Sequence, residues 1–153
     1  MEYEGEFLYD KKWSGKGYDE NGNIIYILNK GNGKVKEYNY NGKIEFEGEF
    51  LNGERNGNGK EYNYDGEIEF EGEYLNGKRN GKGKEYHYNG KLKFAGEYKN
   101  GKRSGSGKEY DESGKLKFEG EYLNGNRWNG KEITYDNFGY IKYEIQYLNG
   151  QKV

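Results

Sequence analysis

Along most of the chain, apolar and polar residues alternate one for one. In Ile68-Glu69-Phe70-Glu71-Gly72-Glu73-Tyr74 the apolar or small set is Ile68, Phe70, Gly72 and Tyr74, and the acidic set falls between. A period of two marks a strand with two unlike faces. Turn signals bound each run. Asn52-Gly53, Asn76-Gly77, Asn100-Gly101 and Asn124-Gly125 follow the aromatic segments, and Asn41-Gly42, Asp65-Gly66, Asn89-Gly90 and Ser113-Gly114 form a second set. Asn-Gly and Asp-Gly suit positive φ at both central residues, so both sets predict type I′ hairpins. Glycine at this density would penalise a helix.

The alternation is itself repeated, which governs the reading of the whole fold. Units start at Tyr3, Tyr26, Phe46, Phe70, Phe94 and Phe118, and a half unit starts at Tyr143, so residues 1–153 read as a single repeat array. Phe70 to Lys93 runs FEGEYLNGKRNGKGKEYHYNGKLK, and Phe46 to Glu69 runs FEGEFLNGERNGNGKEYNYDGEIE. The unit from Tyr26 is short around its first turn and carries Leu28 where the central units carry glycine. Each unit supplies two short strands. The expected fold is all-β, an elongated single-layer antiparallel meander of successive β-hairpins. Like is expected to stack on like, with Phe46, Phe70, Phe94 and Phe118 in one ladder and Phe50, Tyr74, Tyr98 and Tyr122 in another.

Composition refines this picture. With 31% hydrophobic and 34% charged residues the chain leans towards disorder. Its 18 Tyr, 7 Phe and 2 Trp argue the other way, because each ring can bury roughly 150–250 Å². The expectation is a thin protein in which ring stacks replace an aliphatic core. The absence of cysteine excludes disulfides and thiolate chemistry. No apolar run approaches the roughly 20 residues of a membrane span, and Met1-Glu2-Tyr3-Glu4 is too acidic for a secretory signal. A cytoplasmic setting is expected, with peripheral attachment to a membrane or the cytoskeleton as a further option.

Phe70, Gly72, Tyr74, Asn76-Gly77, Gly81 and Gly83 trace aromatic-x-Gly-x-aromatic followed by Asn-Gly-x-x-x-Gly-x-Gly, and the trace recurs from Phe46 and Phe94. This pattern resembles the MORN repeat (membrane occupation and recognition nexus). The resemblance covers nearly the whole chain. Tyr62, Tyr86 and Tyr110 come one residue late, which is closer to the longer variant of the repeat and suggests a β-bulge in the second strand of each unit. The resemblance implies a rod of hairpins, self-association in some members, and tethering to membranes or cytoskeletal structures in others.

Candidate chemistry is sparse. The single histidine, His87, stands where other units have Asn39 and Asn63, and reads as drift at an exposed strand position. Glu47/Glu49, Glu71/Glu73 and Glu119/Glu121 are paired carboxylates, but each unit offers them the same surroundings. General acid–base work needs unequal ones. Gly57/Gly59, Gly81/Gly83 and Gly105/Gly107 open no helix, so they read as beds for a neighbouring ring rather than as nucleotide loops. No metal or cofactor pattern is present, and the chain reads as non-catalytic.

Two surfaces remain as candidates. The aromatic face, Phe46, Phe50, Phe70, Tyr74, Phe94, Tyr98, Phe118 and Tyr122, is expected to be half uncovered and to bind a protein partner or a second copy. Arg55, Arg79, Arg103 and Arg127, read as a row in the loops after the first turns, could instead contact anionic phospholipid. Trp13 and Trp128 occupy one position in the first and last complete units and read as caps. The half unit leaves an open strand edge that could give an end-to-end homodimer. A net charge of −2 argues against nucleic acid.

Overall fold

A computed structural model of the chain describes residues 2–153, and among these every regular element is a β-strand. The chain divides into two compact units, Met1–Lys78 and Arg79–Val153. The division falls inside the repeat that starts at Phe70, next to its first turn, so it is not a boundary of the sequence period.

The first unit holds β1 (Glu2–Leu8), β2 (Lys11–Tyr18), β3 (Ile24–Leu28), β4 (Gly33–Tyr38), β5 (Ile44–Leu51), β6 (Glu54–Tyr62) and β7 (Ile68–Leu75). β1, β2 and β3 form one antiparallel sheet, and β4 to β7 follow in order in another. Between β3 and β4 the ladder is reduced to a single bridge, Asn29 to Asn32. Tyr26, Leu28 and Val35 are buried there, with Tyr3, Ile25 and Phe50 packed against them. Leu28 and Val35 are thus an aliphatic knot where only ring stacking was expected. The second unit holds β8 (Lys78–Tyr86) apart from its first residue, β9 (Leu92–Lys99), β10 (Lys102–Tyr110), β11 (Leu116–Leu123), β12 (Asn126–Tyr135), β13 (Ile141–Leu148) and β14 (Gln151–Lys152). β9 to β14 pair antiparallel in chain order.

The first turn of each repeat is type I′, as its sequence predicts. Asn52 and Gly53 have φ of 54° and 77°, and Asn100 and Gly101 have 52° and 84°. The turn glycine also donates its N–H to the preceding repeat. Gly53 bonds Gly31 O at 2.9 Å, Gly125 bonds Arg103 O at 2.8 Å, and Gly150 bonds Trp128 O at 2.8 Å. Neighbouring repeats are therefore stitched by main-chain bonds as well as by strand pairing.

The second turn differs from expectation. Gly66 has a positive φ of 86°, but Asp65 does not. Gly66 N donates to Asn63 O at 2.9 Å, and Asn63 N donates to Glu67 O at 2.8 Å. The Asn63 side-chain Oδ1 accepts from Asp65 N and Glu67 N, both at 3.0 Å. This is a longer turn closed by one left-handed glycine and capped by an Asx side chain. The cap satisfies two amides, which favours it over a two-residue turn. Asn39, Asp111 and Asp136 cap their turns in the same way.

The second strand of a repeat does bulge. Gly48 pairs with Gly59, but Phe50 pairs with Arg55, so β6 has extra residues opposite Glu49. Gly57, at φ 90°, sits in this bulge. β10 does the same between Arg103 and Gly107, with Gly105 at φ 67°.

Phe46, Phe70, Phe94 and Phe118 are fully buried, and Tyr74, Tyr98 and Tyr122 are nearly so. Phe46, Phe94 and Phe118 press their ring tips onto strand glycines. A Cβ built on Gly59 would fall 2.6 Å from the Phe46 ring, and one on Gly107 would fall 2.5 Å from the Phe94 ring. The Gly-x-Gly pairs are therefore split in role, the first glycine bulging and the second bedding a ring. The rings do not form two like-on-like ladders. Phe46 meets Tyr74 edge to face at 5.4 Å, Phe94 meets Tyr122 at 5.0 Å, and Phe118 meets Tyr147 at 5.6 Å. Phenylalanine and tyrosine also meet within a repeat, Phe70 with Tyr74 at 5.7 Å and Phe94 with Tyr98 at 5.6 Å. The result is one mixed zigzag, in which a repeat's phenylalanine is closed by the tyrosine of the next. Edge-to-face pairs of this kind add about 0.5–1.5 kcal/mol each beyond area burial.

Candidate functional site

A two-residue turn places the residue after its glycine directly in a strand. Arg55, Arg79, Arg103 and Arg127 accordingly lie in β6, β8, β10 and β12 and not in loops. Three of them are capped onto phenylalanine rings, with the guanidinium carbon of Arg55 3.9 Å from the Phe46 centroid, Arg103 4.2 Å from Phe94 and Arg127 4.7 Å from Phe118. Arg79 is half-buried at the equivalent position. In the first repeat Lys12 takes this place, 5.3 Å over the Tyr3 ring and donating to Tyr26 Oη at 3.0 Å.

The guanidiniums of Arg55, Arg103 and Arg127 are each held by a carboxylate from the preceding repeat. Arg103 donates from Nε to Glu85 Oε1 at 2.9 Å and from Nη2 to Oε2 at 2.5 Å, a two-pronged pair. Arg55 clamps Glu37 with two donors at 3.1 and 2.6 Å. Arg127 holds Glu109 at 2.9 Å and reaches Glu132 at 3.2 Å. The tyrosines complete the network. Tyr74 donates to Glu61 at 2.6 Å, Tyr98 to Glu85 at 2.5 Å and Tyr147 to Glu132 at 3.0 Å. Arg103 and Glu85 side chains keep only 18% and 15% of their exposure. Removing one partner from so sheltered a pair typically costs about 3–5 kcal/mol, because the other charge is stranded.

Protonation follows the same contacts. Burial alone would raise the Glu85 carboxyl, but hydrogen bonds from Arg103 and Tyr98 outweigh it and hold the group below its ordinary value. Burial and the Glu85 carboxylate push the Tyr98 hydroxyl far up, and burial with Glu109 raises Tyr122. Burial and the bond to Glu47 push Tyr62 up to about 12. These are groups locked into one charge state, unlike a poised acid–base pair.

The aromatic face is thus closed. Phe46, Phe70, Phe94, Phe118, Tyr74, Tyr98 and Tyr122 lie beneath the arginines and carboxylates, and Phe50 is half-buried. Their expected role as an open protein-binding face is corrected, because the inward charged side chains roof the rings. Sequence reasoning missed Glu37, Glu85, Glu109 and Glu132 as the partners of the arginines. The signal was present, since a glutamate and an arginine recur together in the four repeats that start at Phe46, Phe70, Phe94 and Phe118.

The other candidates fall elsewhere. His87 follows β8 at the start of a turn, half-buried, with Nε2 2.9 Å from Tyr110 O, so that nitrogen carries the proton. It is not an exposed strand residue. The outward carboxylates meet lysines across strands, Glu119 with Lys108 at 3.0 Å and Glu144 with Lys131 at 3.1 Å. Trp13 and Trp128 are half-buried in β2 and β12, and the Trp128 ring lies 3.3 Å from a Cβ built on Gly150. Among the described residues no grouping of His, Asp and Glu could hold a metal ion, and no helix is long and apolar enough to cross a membrane.

The family model described as MORN repeat matches residues 46–68 and 70–91, and that described as MORN repeat variant matches residues 31–52 and 103–124. The chain belongs to the MORN repeat family. No curated protein matches it. MORN repeats generally form non-catalytic modules that take part in protein or membrane association. The Phe–Arg–Glu–Tyr network described here is how this MORN array holds itself together.

Proposed function

We propose that the chain is a non-catalytic cytoplasmic scaffold that binds a protein partner through aromatic side chains at its turns and outer hairpins. The observation that carries this reading is the distribution of exposed rings. Tyr40 is 86% exposed, Tyr88 69%, Phe138 89% and Tyr9 88%, all in turns, while the inward ring network is closed. Tyr40 and Tyr64 lie with ring centroids 5.9 Å apart and share a hydrogen bond between their hydroxyls, a ready two-ring platform. Exposed aromatics of this kind are characteristic of interface cores.

Contact with anionic phospholipid through Arg55, Arg79, Arg103 and Arg127 has less support. For Arg103 to reach a phosphate it must leave Glu85 and the Phe94 ring, stranding a sheltered carboxylate. The test is affinity capture from cell extract with wild type and with a Tyr40→Ser, Tyr64→Ser, Tyr88→Ser variant of unchanged melting temperature. Flotation with phosphatidylserine vesicles runs alongside. A protein captured by wild type and lost in the variant supports the reading. Capture that ignores the variant, or flotation without protein capture, overturns it.

A further inference from the structure

Two neighbouring repeats meet at their second turns through side chains alone. Tyr40 lies between β4 and β5 and Tyr64 between β6 and β7, one period of 24 residues apart. Each follows the asparagine that caps its turn. Asn39 Oδ1 accepts from Asn41 N at 3.0 Å and from Lys43 N at 3.1 Å, and Asn63 does the same for Asp65 and Glu67. The two capped turns are then tied side to side. Lys43 Nζ reaches Asp65 Oδ1 at 3.9 Å and Asp65 O at 3.4 Å, and Asn41 Nδ2 donates to the Tyr64 hydroxyl. These ties hold the Tyr40 and Tyr64 ring centroids 5.9 Å apart at 57°, with the two hydroxyls sharing a hydrogen bond. Both rings are open to solvent, at 86% and 52% exposure.

A phenol that loses an electron and its hydroxyl proton becomes a phenoxyl radical, with unpaired spin on the Cε carbons beside the oxygen. Two rings whose hydroxyls touch bring those carbons within reach of one another, so their coupling is a step within one chain. Other tyrosines lack one of these conditions. Tyr74, Tyr98 and Tyr122 are nearly buried, and their hydroxyls donate to Glu61, Glu85 and Glu109. Tyr3 and Tyr26 stack at 6.4 Å, but Tyr26 is buried and Lys12 Nζ donates to its hydroxyl at 3.0 Å. A positive charge so close opposes removal of an electron.

We propose that Tyr40 and Tyr64 form an oxidative crosslinking site, closed to a dityrosine by a one-electron oxidant of the haem peroxidase class. The oxidised haem takes one electron from each phenol, and each hydroxyl proton passes to water. The two radicals join Cε to Cε. Each of those carbons then releases its proton, and each ring oxygen regains one. The pair of tyrosines loses two hydrogens in all, and one hydrogen peroxide is reduced to two waters. The new bond ties one repeat to the next across the whole β5–β6 hairpin. It needs no partner protein, so the isolated chain tests it whether or not the turn rings also bind one.

The experiment treats the full chain, in dilute solution, with a haem peroxidase and limiting hydrogen peroxide. The expected product is a monomer lighter by two hydrogens, with dityrosine fluorescence, in which tandem mass spectrometry joins Tyr40 to Tyr64. Its yield should not change on dilution, because the rings already meet within one chain. Its melting temperature should exceed that of the untreated chain, because a covalent tie restricts the unfolded ensemble. Tyr40→Phe and Tyr64→Phe each keep both rings but remove one phenol, and each should lose the crosslinked monomer with an unchanged circular dichroism spectrum. Lys43→Ala, which loosens the two turns, should lower the yield. A wild type that gives no crosslinked monomer, a yield that falls on dilution, a principal crosslink between other tyrosines, or a product that survives Tyr64→Phe overturns the proposal.

Discussion

Replacing Gly107 with alanine tests the packing at its tightest point. The new Cβ would lie 2.5 and 2.6 Å from two atoms of the Phe94 ring and 3.3 Å from the Tyr122 ring. Carbon atoms prefer about 3.5–4.0 Å, so the ring must retreat by roughly 1 Å. It has no room to do so. Phe94 is fully buried, Arg103 covers one side at 4.2 Å, and Tyr122 stands at 5.0 Å. Overpacking of this kind costs about 1–3 kcal/mol, and a spoiled edge-to-face contact adds about 0.5–1.5 kcal/mol. Removing a glycine from a strand returns roughly 0.5–1 kcal/mol. The net loss is about 0.5–4 kcal/mol, and each kcal/mol corresponds to roughly 2–4 °C at this size. Thermal melts followed by near-ultraviolet circular dichroism should show the drop, with Ser106→Ala, an exposed neighbour, as the control. The double variant Gly107→Ala, Phe94→Leu should lose less than the sum of its parts, because the shorter side chain vacates the contested space. An unchanged melting temperature, or strict additivity, would refute the ring-bed reasoning.

Two further outcomes follow from the charged network. Glu85 and Glu132 are held below their ordinary carboxylate value of 4.5 in the fold, so their contribution is present above that value and is lost as pH falls through the folded one. Denaturant titrations should show stability declining below about pH 4.5, with a shallower decline in Glu85→Gln; an identical acid limb in that variant would contradict the assignment. At the other extreme, Tyr98 and Tyr122 are raised and Tyr62 is pushed up to about 12. Their contribution is present below the ordinary tyrosine value and is lost as pH rises through the folded one. Absorbance at alkaline pH should therefore show a late group of tyrosines ionising together with unfolding, and a single smooth titration of all 18 Tyr would contradict it.

The strand alternation, the repeat and the first turns were legible because each rests on local chemistry. Asn52-Gly53 has few conformations open to it, and period two fixes which side chains share a face. At Asp65-Gly66 the dipeptide alone does not set the turn, because the deciding group, the Asn63 side chain, stands two residues earlier and acts through its oxygen. Asn-Gly-Lys-Arg is polar throughout and so resembles a loop. Only the brevity of a type I′ turn puts Arg79 or Arg103 into a strand. The closure of the aromatic face was hidden for a related reason. Charge on a strand usually faces solvent, while Glu85 and Glu109 share the face of Phe94 by register. The Phe–Tyr zigzag depends on how consecutive hairpins meet, which no single repeat encodes.

The stitching of each turn glycine to the repeat before it, and the closing of each phenylalanine by the tyrosine after it, bear on ancestry. A repeat in this array is completed by its neighbours and contains no finished core of its own. Losing or gaining one whole period leaves every donor and ring facing an equivalent mate, whereas a change of another length must be absorbed locally, as around Asn29 and Asn32. The near-identical segments from Phe46 to Lys117 are what unequal recombination within such a gene would leave behind. Copy number can drift in this architecture more readily than repeat length, and the one shortened unit, from Tyr26, is where the ladder thins to a single bridge.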